Sequence, residues 1–248
     1  LGAQYVAQAA PDGATLLFIS SSISIIPTLQ TALRFDPIRD LAPISVVCDV
    51  PAALLVRGDS RFDSLAAVLA AARAAPGRLT YASGGVGSAN HLAGALFAAL
   101  AGIELTHVPY RGVSQAVTAI YTGDIDLVFG STLEVLAHAR DGRARLLGTT
   151  MPQRLPETPE VPAIAEQVPG YAAPNWFAMF APKAMPAPLM DRLVAELALL
   201  REDADMKARL AAGAAQLRLD GPGPLTAQLS QEVVKWREVI RRADIRAD

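Results

Sequence analysis

The chain has 248 residues, of which 52% are hydrophobic and 19% charged, and its formal net charge is −2. This length supports a large buried core in one long or two short domains, while the absence of a basic block gives no support for nucleic-acid binding. The single cysteine, Cys48, excludes an internal disulfide and a cysteine-based zinc site and is expected in the core, and no apolar run is long enough to span a bilayer.

The first predicted elements lead to a serine cluster. Residues 4–10 have the pattern of the end of a helix, which stops at a Pro-Asp-Gly turn. The apolar run 15–19 predicts a strand buried on both faces, and it ends abruptly in Ser20, Ser21 and Ser22. We interpret these serines as a ligand-facing strand tip; the alternative is a serine-rich surface loop.

Two connections divide the chain. After a short helix at 27–33, strands are predicted at 41–47 and 52–56, and the polar link 57–61 indicates a first crossover before a helix at 65–75. The segment 151–174 contains six prolines and indicates a second crossover. This predicts one lobe from residues 1–56 and 174–248 and another from residues 57–173.

The centre of the chain, residues 79–130, predicts three strands that each run into small or polar residues and then a helix. The first strand leads into a glycine-serine turn at 83–88, the second into Tyr110, Arg111 and Gly112, and the third into Gly130 and Ser131. Ser114 is the predicted cap of the middle helix. In an open parallel sheet such ends line one crevice, where helix N-termini favour a small anionic ligand.

Motifs for nucleotide binding and hydrolysis are missing. The turn at 83–88 has no Gly-Lys-Ser/Thr and does not have the G-x-G-x-x-G spacing, and the chain contains no G-x-S-x-G elbow. The histidines His91, His107 and His138 show no metal-ligand spacing.

A few residues near the crevice allow two interpretations each. His91, one turn into a helix, is either a crevice ligand or a hydrogen-bonding structural residue. Arg111 is either a carboxylate partner or a surface residue. Trp176 and Phe177, at the start of a crossover strand, form either an apolar wall of the site or part of the core.

At these residues the chain resembles the extracytoplasmic solute receptors of tripartite tricarboxylate transporters, often called Bug receptors. The matching stretches cover nearly the whole chain in the family's order. They are AAPDGATLLFIS, RFDPIRDLAPISVV, YASGGVGSANHLAGALF, HVPYRGVSQAVTAIYTGDIDLVF, RLPETPEVPAIAEQVPGY, NWFAMFAPKAMPAP and the pattern W-x-x-V-I-x-x-A-x-I over residues 236–245.

The resemblance implies a type II periplasmic-binding-protein fold, in which two α/β lobes are joined by two crossing strands and hold the ligand in a cleft between them. It implies a periplasmic receptor, not an enzyme, without a cofactor or metal. The receptor is expected to be a monomer that binds a small carboxylate and delivers it to membrane permease subunits. Members of the family begin earlier than Leu1, which predicts a longer parent protein.

Carried over by position, the resemblance implies ligand contacts from the strand-tip loops. These are expected at Ser20, Ser21, Ser22, Ser83, Gly84, Gly85, Val86, Gly87, Ser88, Tyr110, Arg111 and Gly112, with His91, Ser131 and Trp176 as further candidates. Two alternatives stay open at this point: a ligand sensor for a signalling partner, and a small-acid lyase or hydrolase that uses His91 with a crevice serine.

Overall fold

The described part of the chain, residues 2–29 and 35–246 of a computed structural model, is built on two β-sheets. The strands of the first sheet, in spatial order, are β1 (Leu17–Ser20), β8 (Trp176–Pro182), β2 (Leu41–Asp49) and β9 (Gln216–Leu217). Those of the second are β5 (Thr106–Pro109), β4 (Thr80–Ser83), β6 (Leu127–Ser131), β3 (Ala52–Arg57) and β7 (Ala144–Thr149). The mixed α/β architecture predicted from the sequence is confirmed.

The helices fill the connections between these strands. They are α1 (Gly2–Ala7), α2 (Ile26–Leu29), α3 (Pro37–Asp40), α4 (Leu65–Ala74), α5 (Ala89–Ala101), α6 (Val113–Thr122), α7 (Thr132–Arg140), α8 (Ala187–Leu199), α9 (Ala204–Ala212) and α10 (Pro222–Arg242). Short 3₁₀ turns occupy Ser21–Ser24, Ile164–Glu166 and Leu200–Glu202. The helix predicted at 27–33 is described only as far as Leu29, and the rest of it lies outside the described residues.

Local signals in the sequence set most helix ends. The hydroxyl of Ser64 accepts a hydrogen bond from the N–H of Ala67 and begins α4, as predicted. Gly123 ends α6 in the left-handed conformation that glycine adopts without strain. The predicted start of α6 is wrong by two positions: Gly112, in extended conformation, is the N-cap, and Ser114 already lies inside the helix.

The parallel part of the second sheet brings three strand ends together. Strand β4 pairs in parallel with β5 on one side and with β6 on the other. Helices α5, α6 and α7 follow β4, β5 and β6 along the chain, so all three helices begin at the same edge of the sheet. This is the crevice predicted for residues 79–130.

Two adjacent segments connect the sheets. One leaves β2 and enters β3 at Val50 and Pro51, and the other enters β8 after Asn175. The two segments run side by side, because the N–H of Val50 donates to the carbonyl of Asn175 at 2.8 Å. Strand β3, which the sequence analysis assigned to the first lobe, pairs with β6 and β7 of the second sheet. The chain therefore first crosses before residue 52 and not at the polar link 57–61.

Helix α10 contributes to the packing around both sheets. Its first half places Leu225, Leu229 and Val233 in the apolar cluster that covers the first sheet. Its second half places Trp236 and Ile240 in the large cluster formed with α5 and the second sheet. One amphipathic helix thereby ties the two parts of the core together.

The lone thiol belongs to this interior, as predicted. Cys48 is buried in β2 beside Val50 and Ala215, and burial raises its pKa to about 11. A thiol that stays protonated is a poor nucleophile, so Cys48 is a packing residue.

Candidate functional site

A cavity of about 430 Å³ lies where residues of the first sheet face the strand ends of the second. Five of the residues expected to contact ligand line it: Ser20, Gly84, Ser88, Gly112 and Ser131. They come from separate stretches of sequence, and the sheet register and the two crossing segments bring them together. The cavity is the candidate ligand site.

Three helix N-termini border this cavity. Ser88 caps α5 through its own hydroxyl, which accepts from the N–H of His91 at 3.2 Å. Helices α6 and α7 begin at Gly112 and Ser131 without a side-chain cap. Uncapped first turns present backbone N–H groups and the positive end of the helix dipole, and both favour an anion.

The glycine-serine turn between β4 and α5 is held by its own hydrogen bonds. The hydroxyl of Ser88 donates to the carbonyl of Gly85 at 2.8 Å, and Ser83 bonds the same residue through its side chain. Gly85 and Gly87 have φ values of +124° and +76°, which side-chain-bearing residues rarely adopt. The turn is therefore a preformed wall of the cavity.

Two histidines hold this turn through hydrogen bonds of their imidazole rings. His91 and His107 stack with ring centroids 3.8 Å apart. Nδ1 of His91 accepts from the N–H of Gly87 at 3.1 Å, and Nε2 of His107 lies 2.8 Å from the hydroxyl of Ser83. Burial lowers the pKa of His91 to about 3, with the neighbouring His107 adding to the effect, and lowers that of His107 to about 4. Both imidazoles are neutral near pH 7.

The cavity wall carries an acidic side chain and no basic one. Among the described residues that line it, none is Lys, Arg or His, and the only ionisable group is Glu134. Partial burial raises the pKa of Glu134. An anion in this cavity would have only backbone N–H groups, side-chain amides and hydroxyls as donors.

Several of the serines that were expected to contact ligand make hydrogen bonds within the protein instead of lining the cavity. Ser21 is buried and donates to Oδ1 of Asn175 at 2.8 Å, so it positions a cavity residue and does not line the cavity itself. Ser22 bonds the hydroxyl of Ser20 at 2.9 Å. Ser83 is fully buried against His107. In the same turn, Gly85, Val86 and Gly87 flank the lining residues, and Val86 is exposed.

The other predicted residues lie outside the cavity. Arg111 is exposed, Tyr110 packs half-buried against an apolar cluster, and His91 lines a different cavity. Trp176 is 0% exposed, and its indole N–H donates to Oε1 of the buried Glu232 at 2.7 Å. Trp176 is thus a core residue, and its neighbour Phe177 supplies the apolar wall.

Six residues of the cavity were not expected from the sequence: Ala89, Asn90, Val113, Leu133, Glu134 and Asn175. Five of them lie in the first turn of α5, α6 or α7, where the side chains after an N-cap are near any ligand at the helix terminus. Asn175 directly precedes β8. The spacing Ser131-x-x-Glu134, a capping-box pattern, is a sequence signal from which Glu134 could have been identified.

Other classes of site find no support here. Within residues 2–29 and 35–246, no three His, Cys, Asp or Glu side chains cluster as metal ligands. The imidazole Nδ1 of His91 accepts from a backbone N–H and is not paired with a serine hydroxyl, so the serine–imidazole pair that a hydrolase needs is not formed at His91. None of the described helices combines the length and apolar character needed to cross a membrane.

Comparison with known proteins yields one family. The model for the tripartite tricarboxylate transporter family receptor matches residues 1–243. A relative from Pseudomonas sp. strain P51, the UPF0065 protein in the tcbD-tcbE intergenic region, is 35% identical over 242 residues, which are 97% of this chain and 72% of the relative.

Two solved structures show the same fold. The periplasmic binding protein BugD is 27% identical with a TM-score of 0.87, over 98% of this chain and 82% of BugD. R. palustris Rpa4515 with adipate is 28% identical with a TM-score of 0.89, also over 98% of this chain and 82% of that one. The predicted periplasmic-binding fold is confirmed by these matches.

Proposed function

Because this chain belongs to the tripartite tricarboxylate transporter receptor family, we propose that it binds a small carboxylate in the cavity between its two sheets. The family consists of solute receptors, so the chain is a receptor and not an enzyme. We further propose that it acts in the periplasm as a monomer with two lobes, and that it delivers its ligand to the membrane permease subunits of such a transporter.

The uncapped N-termini of α6 and α7 support a carboxylate as the ligand. Both helices have at least nine residues, and both begin at the cavity without a side-chain cap. In α7 the N–H of Thr132 already donates to the carbonyl of Pro51, so the later N–H groups of its first turn are the ones that a ligand would meet. A ligand carboxylate there would complete the caps and gain charge-assisted hydrogen bonds. The adipate in the Rpa4515 structure is a dicarboxylate, which agrees with this chemistry.

The first test is a thermal-shift screen with mono-, di- and tricarboxylates, amino acids and aromatic acids, followed by calorimetry on the compounds that raise the melting temperature. A ligand that binds only the folded state at about 100 times its Kd stabilises it by roughly 2.7 kcal/mol. A saturable shift is expected for at least one class. No shift with any carboxylate would contradict the proposal.

Gly112→Asp is a sharper test of the same site. Gly112 has an extended backbone, and a Cβ at this position would meet no atom within 4 Å, so aspartate fits. Its carboxylate would cap α6 and repel a ligand carboxylate, so we expect at least a tenfold loss of affinity without a loss of stability. The matched control is Gly223→Asp, in the first turn of α10 and also without a neighbour within 4 Å. Full affinity in Gly112→Asp would remove the α6 terminus from the site.

Delivery to a permease is tested separately by uptake. A strain that lacks this receptor should lose transport of the ligand identified by calorimetry and recover it when the receptor is restored. Ligand binding without any effect on uptake would instead favour a sensor for a signalling partner.

A further inference from the structure

The beginning of α7 has a capping-box sequence that the structure does not use as a capping box. In such a box the serine at the N-cap and the glutamate three residues later exchange hydrogen bonds with each other's backbone N–H. Ser131 and Glu134 have this spacing, but α7 has no side-chain cap bond. Both side chains line the cavity. Their polar atoms are therefore left for something other than the helix.

Glu134 has no cationic partner in the described part of the chain. It makes no hydrogen bond or ion pair with another described residue, and no basic side chain lines the cavity with it. A ligand that enters the cavity removes further water from this carboxylate. An unpaired carboxylate that loses water is unfavourable unless a cation accompanies it.

Asn90 supplies an independent second observation. Its side chain lines the same cavity, is 8% exposed, and its Oδ1 is buried without a hydrogen-bond partner. Buried polar atoms are nearly always hydrogen-bonded, so an unpaired one on a cavity wall indicates a missing partner. The cavity thus combines one buried acceptor without a partner, on Asn90, and the exposed carboxylate of Glu134, which has no cationic partner among the described residues, with the donor N–H groups of two helices that have no side-chain cap.

The remaining wall is apolar. Phe177 and Leu133 line the cavity, and Leu133 is 49% exposed although it is a large aliphatic residue. Apolar side chains exposed in a concave site favour an apolar ligand group. The wall therefore offers donors, acceptors and an apolar surface within about 430 Å³.

We propose that Glu134 and Asn90 bind the protonated amino group of an amino acid with an apolar side chain, while the helix N-termini bind its carboxylate. The proposal rests on the function proposed above and narrows its ligand class. An ammonium group donates up to three hydrogen bonds and neutralises the Glu134 charge, whereas a hydroxyl would leave that charge uncompensated. Phe177 and Leu133 pack against the apolar side chain. Glu134 is then the residue that determines specificity.

The test compares acids that differ only in the amino group. Calorimetry at pH 7.5 measures leucine against 4-methylpentanoate, phenylalanine against 3-phenylpropanoate, and adipate as a dicarboxylate. We expect the amino acid of at least one pair to bind at least tenfold more tightly than its deaminated analogue. Equal or weaker binding of both amino acids would overturn the inference.

Substitutions assign the preference to the two side chains. Glu134→Gln should weaken amino-acid binding at least tenfold and change binding of the deaminated acid by less than twofold. Asn90→Leu, similar in size, should weaken amino-acid binding as well. Glu196→Gln, on α8 and outside the cavity, removes the same charge and should change nothing. Unchanged amino-acid affinity in Glu134→Gln, with an unchanged melting temperature, would overturn the assignment.

The outcomes separate this inference from the proposed function. If adipate or a deaminated acid binds and neither amino acid does, the proposed carboxylate binding is supported and the proposed binding of an amino group by Glu134 and Asn90 is wrong. If no carboxylate with or without an amino group binds, both fall.

Discussion

Single side chains decide the shape of the glycine-serine turn at residues 83–88. The N–H of Gly87 points to His91, and the hydroxyl of Ser83 contacts His107, so the stacked imidazoles hold both ends of the turn. This contact defines the tautomer of His91, because Nδ1 must be unprotonated to accept the Gly87 bond and the proton is therefore on Nε2. Tyr81, which lies 4.8 Å from His107 between ring centroids, completes the aromatic support.

The histidine pair predicts sensitivity to acid. The pKa of His91 is lowered from 6.5 to about 3 in the folded state. The unfolded chain therefore takes up a proton first, and the stability contributed by neutral His91 is complete above pH 6.5 and is lost as the pH falls toward 3. The loss is about 1.4 kcal/mol per pH unit for such a group. Urea unfolding at pH 7, 5.5 and 4.5 measures it.

Two variants separate the effect of His91 protonation from the effect of its hydrogen bond with Gly87. His91→Asn removes the titrating group but keeps an acceptor near the position of Nδ1, while His91→Gln removes the group and moves the acceptor away. Both should show a flatter pH dependence than the original chain, and only His91→Asn should keep the ligand affinity. A pH dependence as steep as that of the original chain in both variants would show that His91 is not the source.

At the scale of elements, close packing sets where helix α5 lies on the second sheet. A Cβ built on Gly94 would lie 2.3 Å from Cε2 of Tyr81, so only glycine allows the helix to approach β4 this closely. The first turn of α5 borders the ligand cavity, and Asn90 and His91 belong to it. The distance between α5 and the sheet therefore determines the position of the glycine-serine turn at residues 83–88.

Gly94→Ala tests this contact. Overpacking of a close-packed interior costs about 1–3 kcal/mol, which exceeds the gain in helix propensity from alanine. We expect a lower urea midpoint and weaker ligand binding, because Tyr81 and its histidine neighbours must move. Gly223→Ala, where a Cβ meets nothing within 4 Å, is the control and should leave stability equal or slightly higher. Equal stability of both variants would contradict the packing argument.

At the scale of the whole molecule, the two crossing segments connect the two sheets and hold them in position. Thr150 joins them: its hydroxyl bonds both the N–H and the carbonyl of Ala52, at 3.0 and 3.1 Å, and its carbonyl accepts from the N–H of Ala173 at 2.9 Å. Pro51 and Pro174 flank these contacts and restrict the backbone. If the two lobes close around a ligand, the backbone dihedral angles would change in these crossing segments.

Thr150→Val measures the strength of this junction. Valine fills the same volume, but it leaves the buried N–H of Ala52 without its side-chain acceptor, which costs about 1–3 kcal/mol. We expect a lower free energy of unfolding with the fold retained by circular dichroism. Thr106 begins the edge strand β5, and its exposed hydroxyl donates to the carbonyl of Gly77. Thr106→Val loses this bond and should lower the free energy of unfolding much less. An equal decrease in the free energy of unfolding for the two variants would show that the Thr150 hydrogen bonds stabilise the protein no more than an exposed one.

The sequence by itself determined the succession of strands and helices, most helix caps, the family and the identity of the strand-tip loops. These depend on local chemistry: apolar periodicity, hydroxyl caps such as Ser64, and glycine at left-handed positions such as Gly123. Among the described residues, the position of residue 52 in the second sheet and the start of α6 departed from the local signals. The division into lobes stays a proposal.

The tertiary structure decided which side chains reach the candidate cavity. Trp176 and Phe177 are neighbours in sequence, but successive strand residues face opposite sides, so one enters the core and the other the cavity. Ser21 meets Asn175 across 154 positions of sequence. No local pattern encodes such a pairing, because it depends on strand register and on the crossing segments. Only the fold shows that Asn90, Glu134 and Asn175 line the same cavity, while the loops around them were already evident in the sequence.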